Sequence, residues 1–258
     1  MPNNRLKIID QLQGSLAFTL AEVLITLGII GVIAVITIPS LLLDSNDRAK
    51  VVALKKTYSI LSSAYSNAVK EIGDPSKWDW SGGVKVMIDE LSPYLRVNKN
   101  CSDGSQGCFP ASVVYKLLSN SDWLGVDNSA NPKMILADGT AIFASLSNPS
   151  SGSLSSGCVD VRNVSGNKNV CGYYYVDING FMSPNQLGVD TFAFYLTTTG
   201  IIPVGQANDS WMIQPFTCLY KNSVTGIGCT GWVISNENLD YIKCPGALSW
   251  SGKRKCSE

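Results

Sequence analysis

A single carboxylate interrupts the longest apolar stretch of this sequence. From Phe18 to Leu43 the one ionisable side chain is Glu22, and no Lys or Arg lies between Lys7 and Arg48. A charge at the centre of a membrane helix costs roughly 2.5–3.5 kcal/mol, and a position nearer the end costs less. A cationic partner would still stabilise the carboxylate, and the neighbouring sequence does not supply one. The partner of Glu22 must therefore come from elsewhere.

The remaining composition excludes the commonest kinds of catalysis. The chain has 258 residues with 20 basic and 20 acidic side chains, so it has no overall electrostatic bias toward nucleic acid or anionic lipid. It contains no histidine. That removes Ser-His-Asp and Cys-His nucleophile sets and every zinc site with a His ligand. We therefore expect no enzymatic activity, and an anchored enzyme ranks last among the possible functions.

Eight cysteines lie after the apolar stretch: Cys101, Cys108, Cys158, Cys171, Cys218, Cys229, Cys244 and Cys256. No two of them have the C-x-x-C spacing that is typical of zinc or thioredoxin-type sites. An even number of cysteines in this arrangement favours disulfides, which places the body of the protein in an oxidising compartment. The cysteines fall in four neighbouring couples along the chain. We favour disulfides within these couples, although many other connectivities are possible.

One loop gathers side chains that could hold a metal ion. Asp177, Asn179 and Asp190, together with the residues from Ser183 to Gln186, place hard oxygen ligands around tight turns. Calcium binds about six to eight such oxygens. The pattern is not an EF-hand, because Phe181 occupies an expected ligand position and no glutamate closes the loop. The alternative is an Asx turn between two strands. No cofactor is required, and a structural calcium ion stays open.

The apolar stretch and the residues after it favour helices. Val23 to Leu43 has no charge and is long enough to span about 30 Å of hydrocarbon. Asp44 to Asp47 either interrupts this helix or caps a second one. The helical pattern stops at Gly73-Asp74-Pro75. Between these points apolar residues recur at spacings of three and four, on one face of a helix: Val51, Leu54, Tyr58, Leu61, Tyr65, Ala68 and Ile72.

The start of the first helix resembles a known family. A short polar leader and the small residue Ala17 precede the run Phe18-Thr19-Leu20-x-Glu22-Val23-Leu24-Ile25, and the uncharged segment that follows contains Pro39. This pattern resembles the leader and N-terminal helix of type IV pilins and type II secretion pseudopilins. The resemblance implies that a membrane-embedded prepilin peptidase cuts between Ala17 and Phe18 and methylates the new amine. It also implies that Pro39 is the proline that distorts the helix.

Cleavage at this position would give Glu22 its partner. The new ammonium on Phe18 lies one helical turn away, at the i, i+4 spacing. In an assembled fibre, Glu22 of an incoming subunit can instead pair with the Phe18 amine of the subunit ahead. That pairing would offset the cost of burying both charges and would set the axial register. The alternative is a plain signal anchor, with Glu22 at the headgroup boundary.

The composition after Trp78 changes to Gly, Ser, Asn and aromatic residues and predicts an antiparallel sheet. Asp138-Gly139 between two apolar segments predicts a hairpin. Further strands are predicted at 171–178, 191–196 and 200–204, a short helix at 84–95 that is broken near Pro93, and an exposed low-complexity loop at 145–156. The fold class is therefore α+β. We expect a long N-terminal helix, transmembrane in its first half and amphipathic in its second, packed on the sheet of a body with disulfide-stapled loops.

The expected organisation has four parts. These are a leader peptide at 1–17, a transmembrane or filament-core helix at 18–43, an amphipathic helix at 44–73 and an exported pilin-like α+β domain at 74–258. The resemblance implies a structural subunit of a type IV pilus or type II secretion-like pseudopilus. Its partners would be other pilin subunits, the prepilin peptidase, the assembly platform of the inner membrane and, before assembly, membrane lipid.

The same resemblance implies a location. The chain would cross the inner membrane once with its body in the periplasm, and would then enter an extracellular pilus or a periplasmic pseudopilus. The alternative function is a low-abundance tip pilin that acts as an adhesin or a DNA-binding module. Two groups of residues motivate that alternative: the basic triplet Lys253-Arg254-Lys255, and the aromatic residues Trp211, Trp232, Trp250, Tyr220 and Tyr241.

Overall fold

The computed structural model describes residues 18–105, 107–123, 131–148, 152–153, 158–164, 168–209 and 217–258. The chain divides into two compact units, Met1–Ser45 and Asn46–Glu258. The α-helices are α1 (Leu20–Ile72), α2 (Lys85–Leu91) and α3 (Thr230–Asn236). The strands are β1 (Val97–Cys101), β2 (Lys133–Leu136), β3 (Ala141–Ser145), β4 (Ser147–Asn148), β5 (Gly152–Ser153), β6 (Val159–Val164), β7 (Lys168–Asp177), β8 (Thr191–Thr197) and β9 (Gly200–Pro203).

Helix α1 is continuous where the sequence left two alternatives. It runs through Asp44 to Asp47 without interruption. It ends at the predicted stop, where Gly73 adopts a φ of 83° and donates its N–H to the carbonyl of Val69 at 3.1 Å. Glycine adopts this left-handed conformation at helix C-termini without the steric cost of a Cβ atom. The predicted stop signal is therefore confirmed.

The main sheet is antiparallel, as predicted, with the strand order β1-β2-β3-β7-β8-β9, and β6 pairs with β7. The predicted hairpin around Asp138-Gly139 is formed by β2 and β3, in which Met134 faces Ile142. The three further strands predicted from the sequence are β7, β8 and β9. Strands β1 and β6 were not predicted, because their polar sequences VNKNC and VDVRNV lack a long apolar run. The α+β class with an antiparallel sheet is thus confirmed.

Both faces of this sheet are buried. Tyr174 and Phe194 belong to one buried cluster, which also contains residues of α1. The ring of Tyr58 in α1 stacks on that of Phe194, with 5.6 Å between the centroids. Tyr173 and Tyr175 point to the opposite face, since successive side chains of a strand alternate, and belong to a second cluster. The described residues that cover this second face, such as Phe109, Tyr115 and Leu187, lie in loops.

The residues predicted to form an apolar face between 51 and 72 are buried or half-buried within the second unit, except for the last of them. Val51, Leu54, Leu61, Tyr65 and Ala68 are buried and Tyr58 is half-buried, whereas Ile72 is exposed.

Two regions differ in detail from the sequence prediction. The segment predicted as a broken helix at 84–95 forms α2 and a 3₁₀ turn, Ser92–Tyr94, so the break begins just before Pro93. The predicted loop at 145–156 contains the short hairpin of β4 and β5, and its residues 149–151 and 154–156 lie outside the described residues.

Four disulfides join the eight cysteines. They are Cys101–Cys108, Cys158–Cys171, Cys218–Cys229 and Cys244–Cys256. The disulfides are therefore confirmed, and each of them joins one of the neighbouring couples favoured from the sequence. Closing loops of this size adds roughly 2–3 kcal/mol each. Two of these disulfides involve the main sheet, since Cys101 lies in β1 and Cys171 in β7.

Candidate functional site

The first turn of α1 holds Glu22 in a reciprocal pair of hydrogen bonds with Thr19. The backbone N–H and the hydroxyl of Thr19 both donate to Glu22 Oε2 at 2.9 Å, and the backbone N–H of Glu22 donates to Thr19 Oγ1 at 3.2 Å. This arrangement is a capping box, in which Thr at the N-cap position and Glu three residues later satisfy each other's backbone donors. The sequence carries its signature, Thr-x-x-Glu, and our sequence analysis missed it.

The capping box gives Glu22 a role within the single chain. Both donors of Thr19 use Oε2, so the second carboxylate oxygen remains available to accept a hydrogen bond from a further cation. Phe18 precedes the cap and its side chain is exposed. Ala17, the other residue of the predicted cleavage site, lies outside the described residues.

The apolar part of α1 exposes its side chains. Leu20–Ile38 is long and apolar enough to cross a membrane, and none of this segment is buried within the structure. By length and composition alone, such a helix near the N-terminus is either a membrane anchor or a signal sequence. An exposed apolar surface of this size marks contact with lipid or with other protein. A Cβ atom added to Gly28 or Gly31 would meet nothing within 4 Å among the described residues, so no close contact there requires glycine.

The structure brings together the three residues predicted to bind a metal. The backbone N–H of Asn179 donates to Asp177 Oδ1 at 3.2 Å, and its side-chain amide donates to Asp190 Oδ2 at 3.5 Å. The hydroxyl of Tyr115 donates to Asp177 Oδ2 at 2.8 Å. Asp190 also accepts the backbone N–H groups of Asn185 at 3.0 Å and Gln186 at 2.6 Å. These bonds fix the β7–β8 loop against the loop that contains Tyr115.

Burial raises the pKa values of Asp177 and Asp190. Asp177 and Asp190 are fully buried. Burial, together with the negative charge of Asp190, raises the pKa of Asp177 to about 8. Burial also raises the pKa of Asp190, opposed by the N–H groups of Gln186 and Asn185 and by the charge of Lys50. The folded state therefore binds a proton at Asp177 more tightly than the unfolded chain does, and stability should fall as the pH rises from about 4 through about 8.

Some oxygens in this cluster could bind a hard cation, whereas others already accept hydrogen bonds from the protein. The Oδ1 atom of Asn179 is buried and has no hydrogen-bond partner in the described part of the chain. In the amide orientation that hydrogen bonding favours, Asn185 donates to Asp177 Oδ2 at 3.1 Å. No group of three or more His, Cys, Asp or Glu side chains suitable for a metal occurs among the described residues. A cation here would need the Asn179 amide oxygen as well as the two carboxylates.

The residues that motivated a tip adhesin do not form a platform of exposed rings where the structure describes them. Trp232 and Tyr241 are buried, and the Trp232 and Trp250 rings meet at 65° rather than in one plane. Trp211 lies outside the described residues. Stacking on a sugar or a base needs an accessible ring face, which the buried rings do not offer.

No protein-family model, curated protein or solved structure matches this chain. A functional proposal must therefore rest on its own residues and their geometry.

Proposed function

We propose that this chain is a structural subunit of a type IV pilus or of a type II secretion-like pseudopilus. A single observation carries the proposal: one carboxylate, Glu22, lies in the first turn of α1, and the helix is otherwise uncharged as far as Leu43. Glu22 comes one turn after the residue that cleavage would turn into an ammonium. The run Phe18-Thr19-Leu20-x-Glu22 at the start of this helix resembles that of the pilin family. The chain is then a building block that catalyses no reaction.

The exposure of the helix supports the same proposal. The apolar segment Leu20–Ile38, none of which is buried within the structure, needs lipid before assembly and other helices afterwards. Gly28 and Gly31 have open space around them in the part of the chain that the structure describes. Small residues allow close approach between helices in an apolar environment. Neighbouring subunits would supply that contact in a fibre.

The proposed assembly also accounts for the charge. Glu22 of an incoming subunit would accept from the Phe18 ammonium of the subunit ahead, so that each buried charge has a partner. A plain signal anchor, the alternative, explains Glu22 by the capping box alone. The two explanations differ in what they require: capping requires a hydrogen-bond acceptor at position 22, whereas assembly requires a negative charge.

Mass spectrometry of the N-terminal peptide tests the proposal directly. Protein purified from the membrane fraction of its native host should begin at Phe18 and carry one methyl group on its amine. A chain that still begins at Met1, or one that is cut after Leu43, would contradict a pilin-like subunit. An unmethylated chain that begins at Phe18 would support the predicted cleavage and contradict only the predicted methylation.

A structural calcium ion in the β7–β8 loop is a second candidate, favoured by one observation. The buried Oδ1 of Asn179 has no partner in the described part of the chain and lies in a loop with two carboxylates. Such hard oxygens are the ligands that calcium prefers. Isothermal titration with calcium should show saturable binding that Asn179→Ala weakens. Absence of binding by the wild-type protein would leave the loop as an Asx-type structure held by hydrogen bonds.

A further inference from the structure

Positive charge is concentrated around the first residues of the Asn46–Glu258 unit. Segments 46–50, 217–224 and 240–258 contain seven basic and three acidic residues, although the whole chain is balanced. The name basic surface refers below to the cationic residues Arg48, Lys221, Lys243, Lys253, Arg254 and Lys255. All of them are exposed except Lys253, which is half-buried. The charge is therefore segregated rather than spread over the body.

Three contacts bring these segments together. Lys243 Nζ lies 3.0 Å from Asp47 Oδ2, next to Arg48 in the chain. The Cys244–Cys256 disulfide, with 5.9 Å between the Cα atoms, holds the C-terminal segment against the residue after Lys243. A Cβ atom added to Gly246 would lie 2.8 Å from Lys221 Cβ, so the 217–224 segment is also adjacent.

An apolar pocket opens within the same region. It has a volume of about 460 Å³, and Lys221, Val224, Tyr241 and Ile242 are among its lining residues. Val224 and Ile242 are 43 % and 44 % exposed, and both line this pocket. The Ser223 hydroxyl, which also lines the pocket, is buried and has no hydrogen-bond partner among the described residues. Exposed aliphatic side chains beside lysines are typical of surfaces that lie in a membrane interface.

We propose that the basic surface binds the headgroups of anionic phospholipids while the body waits at the membrane for assembly. This inference rests on the proposed function, since it requires the apolar helix to be anchored in a bilayer. Arg48 follows Leu43, the last residue of the apolar stretch, by five residues. Even a fully extended chain would keep it within about 18 Å of that stretch. Under that anchoring the lipid phosphates would lie close to this surface, beside its own carboxylates Asp47 and Glu258. Val224 and Ile242 would contact the boundary with the acyl chains.

The expected affinity of the basic surface for an anionic bilayer follows from its number of cationic residues. Each Lys or Arg near an anionic leaflet favours the bound state by about five-fold. Several such residues should therefore hold the body against an anionic bilayer and release it from a zwitterionic one. High salt should also release it, because it screens the attraction.

Lysine modification in vesicles tests this inference. The full chain is reconstituted in vesicles of phosphatidylcholine, with or without phosphatidylglycerol, and treated with a water-soluble acylating reagent. Mass spectrometry then gives the rate at each lysine. Lys221, Lys243, Lys253 and Lys255 should react at least about five-fold more slowly in the anionic vesicles, by the same per-charge preference, and the difference should vanish at high salt. Lys99, exposed on β1, should react equally in both.

A pair of double variants gives the matched control. Lys253→Gln with Lys255→Gln should remove most of the protection of Lys221 and Lys243, since each charge that is lost weakens the bound state by about five-fold. The control is Lys70→Gln with Lys77→Gln, which removes the same charge and should leave the protection unchanged. Lys70 lies about 33 Å along α1 from Arg48, and Lys77 lies in the 3₁₀ turn Pro75–Lys77 that follows the helix. Both pairs are at the surface, so the folded state is expected to survive in each.

The other outcomes overturn the inference in distinguishable ways. Equal rates in both vesicles would exclude lipid binding by this surface. Protection that follows the ratio of protein to lipid would assign the surface to a second copy of this chain. Stronger protection by duplex DNA in phosphatidylcholine vesicles would assign it to nucleic acid. A chain that alkaline carbonate extracts from the vesicles would contradict the anchoring, and with it the proposed function.

Discussion

Replacing Glu22 by Gln separates its charge from its capping role. Both Thr19 donors bind one carboxylate oxygen, Oε2, at 2.9 Å. A glutamine amide offers one carbonyl oxygen in the same place, and Gln is accepted at this position of a capping box. Glu22→Gln should therefore keep the first turn of α1 intact. It should also insert readily, because a neutral amide costs less to place in lipid than a carboxylate.

Glu22→Gln is expected to impair assembly of the fibre and not insertion into the membrane. Without Glu22, the Phe18 ammonium of the neighbouring subunit would enter the fibre unpaired. Leaving one partner of a buried pair alone costs roughly 3–5 kcal/mol. Since about 1.4 kcal/mol corresponds to a factor of ten, each docking step should weaken by about two to three orders of magnitude. Incorporation would fall sharply, because a fibre grows by repeated docking.

Thr19→Val is the matched variant for this experiment. Valine has nearly the shape of Thr19, and the charge of Glu22 is kept. The variant removes both hydrogen bonds of the Thr19 hydroxyl in the cap, which costs about 1 kcal/mol. Membrane fractions and sheared filaments are compared by immunoblotting with an antibody to the body. We expect both variants in the membrane, Glu22→Gln almost absent from filaments and Thr19→Val reduced by about five-fold. Wild-type incorporation of Glu22→Gln would refute the salt bridge between subunits. A stronger defect for Thr19→Val than for Glu22→Gln would mean that capping, not charge, is the role of Glu22.

Two further predictions concern the body. Without added calcium, the free energy of unfolding should fall between pH 5 and 8, by up to about 1.4 kcal/mol per pH unit, because burial raises the pKa of Asp177 to about 8. Asp177→Asn should reduce this slope in urea titrations to the part that Asp190 contributes, since burial raises the pKa of that carboxyl too. The exposed control Asp122→Asn should keep the whole slope, and a slope that Asp177→Asn leaves unchanged would assign the proton to another group. Alkylation of the exported protein without reduction should label none of the eight cysteines, and peptide mapping should recover the four neighbouring pairs. Cross-linked peptides from different couples would contradict the pairing.

The amphipathic half of α1 could be predicted because its signal is local. Apolar residues at spacings of three and four define one face, and Gly73 with Pro75 defines the end. The hairpin of β2 and β3 has an equally local signal in Asp138-Gly139. In each case the physical cause of the element lies within a few residues of the element itself.

The second core of the sheet lacked such a signal. Phe109, Tyr115 and Leu187 are buried against Phe143 and Tyr175, but they lie in loops whose apolar residues have no period. Their burial depends on which loops the topology brings together, and β1 and β6 depend in the same way on the strands that they join. Composition alone also concealed the basic surface, since a balanced total charge says nothing about where the charges lie.

The candidate site shows how one residue can have two roles without conflict. In the single chain Thr19 binds only one of the two carboxylate oxygens of Glu22, so the second oxygen can accept from an ammonium while the cap stays formed. A glutamate that is free to rotate loses roughly 0.5–1.5 kcal/mol of side-chain entropy when it is immobilised at an interface. The cap has already fixed the side chain before any partner arrives. Thr19 is therefore expected to favour docking by positioning Glu22, and the defect of Thr19→Val should appear in the filament rather than in the membrane.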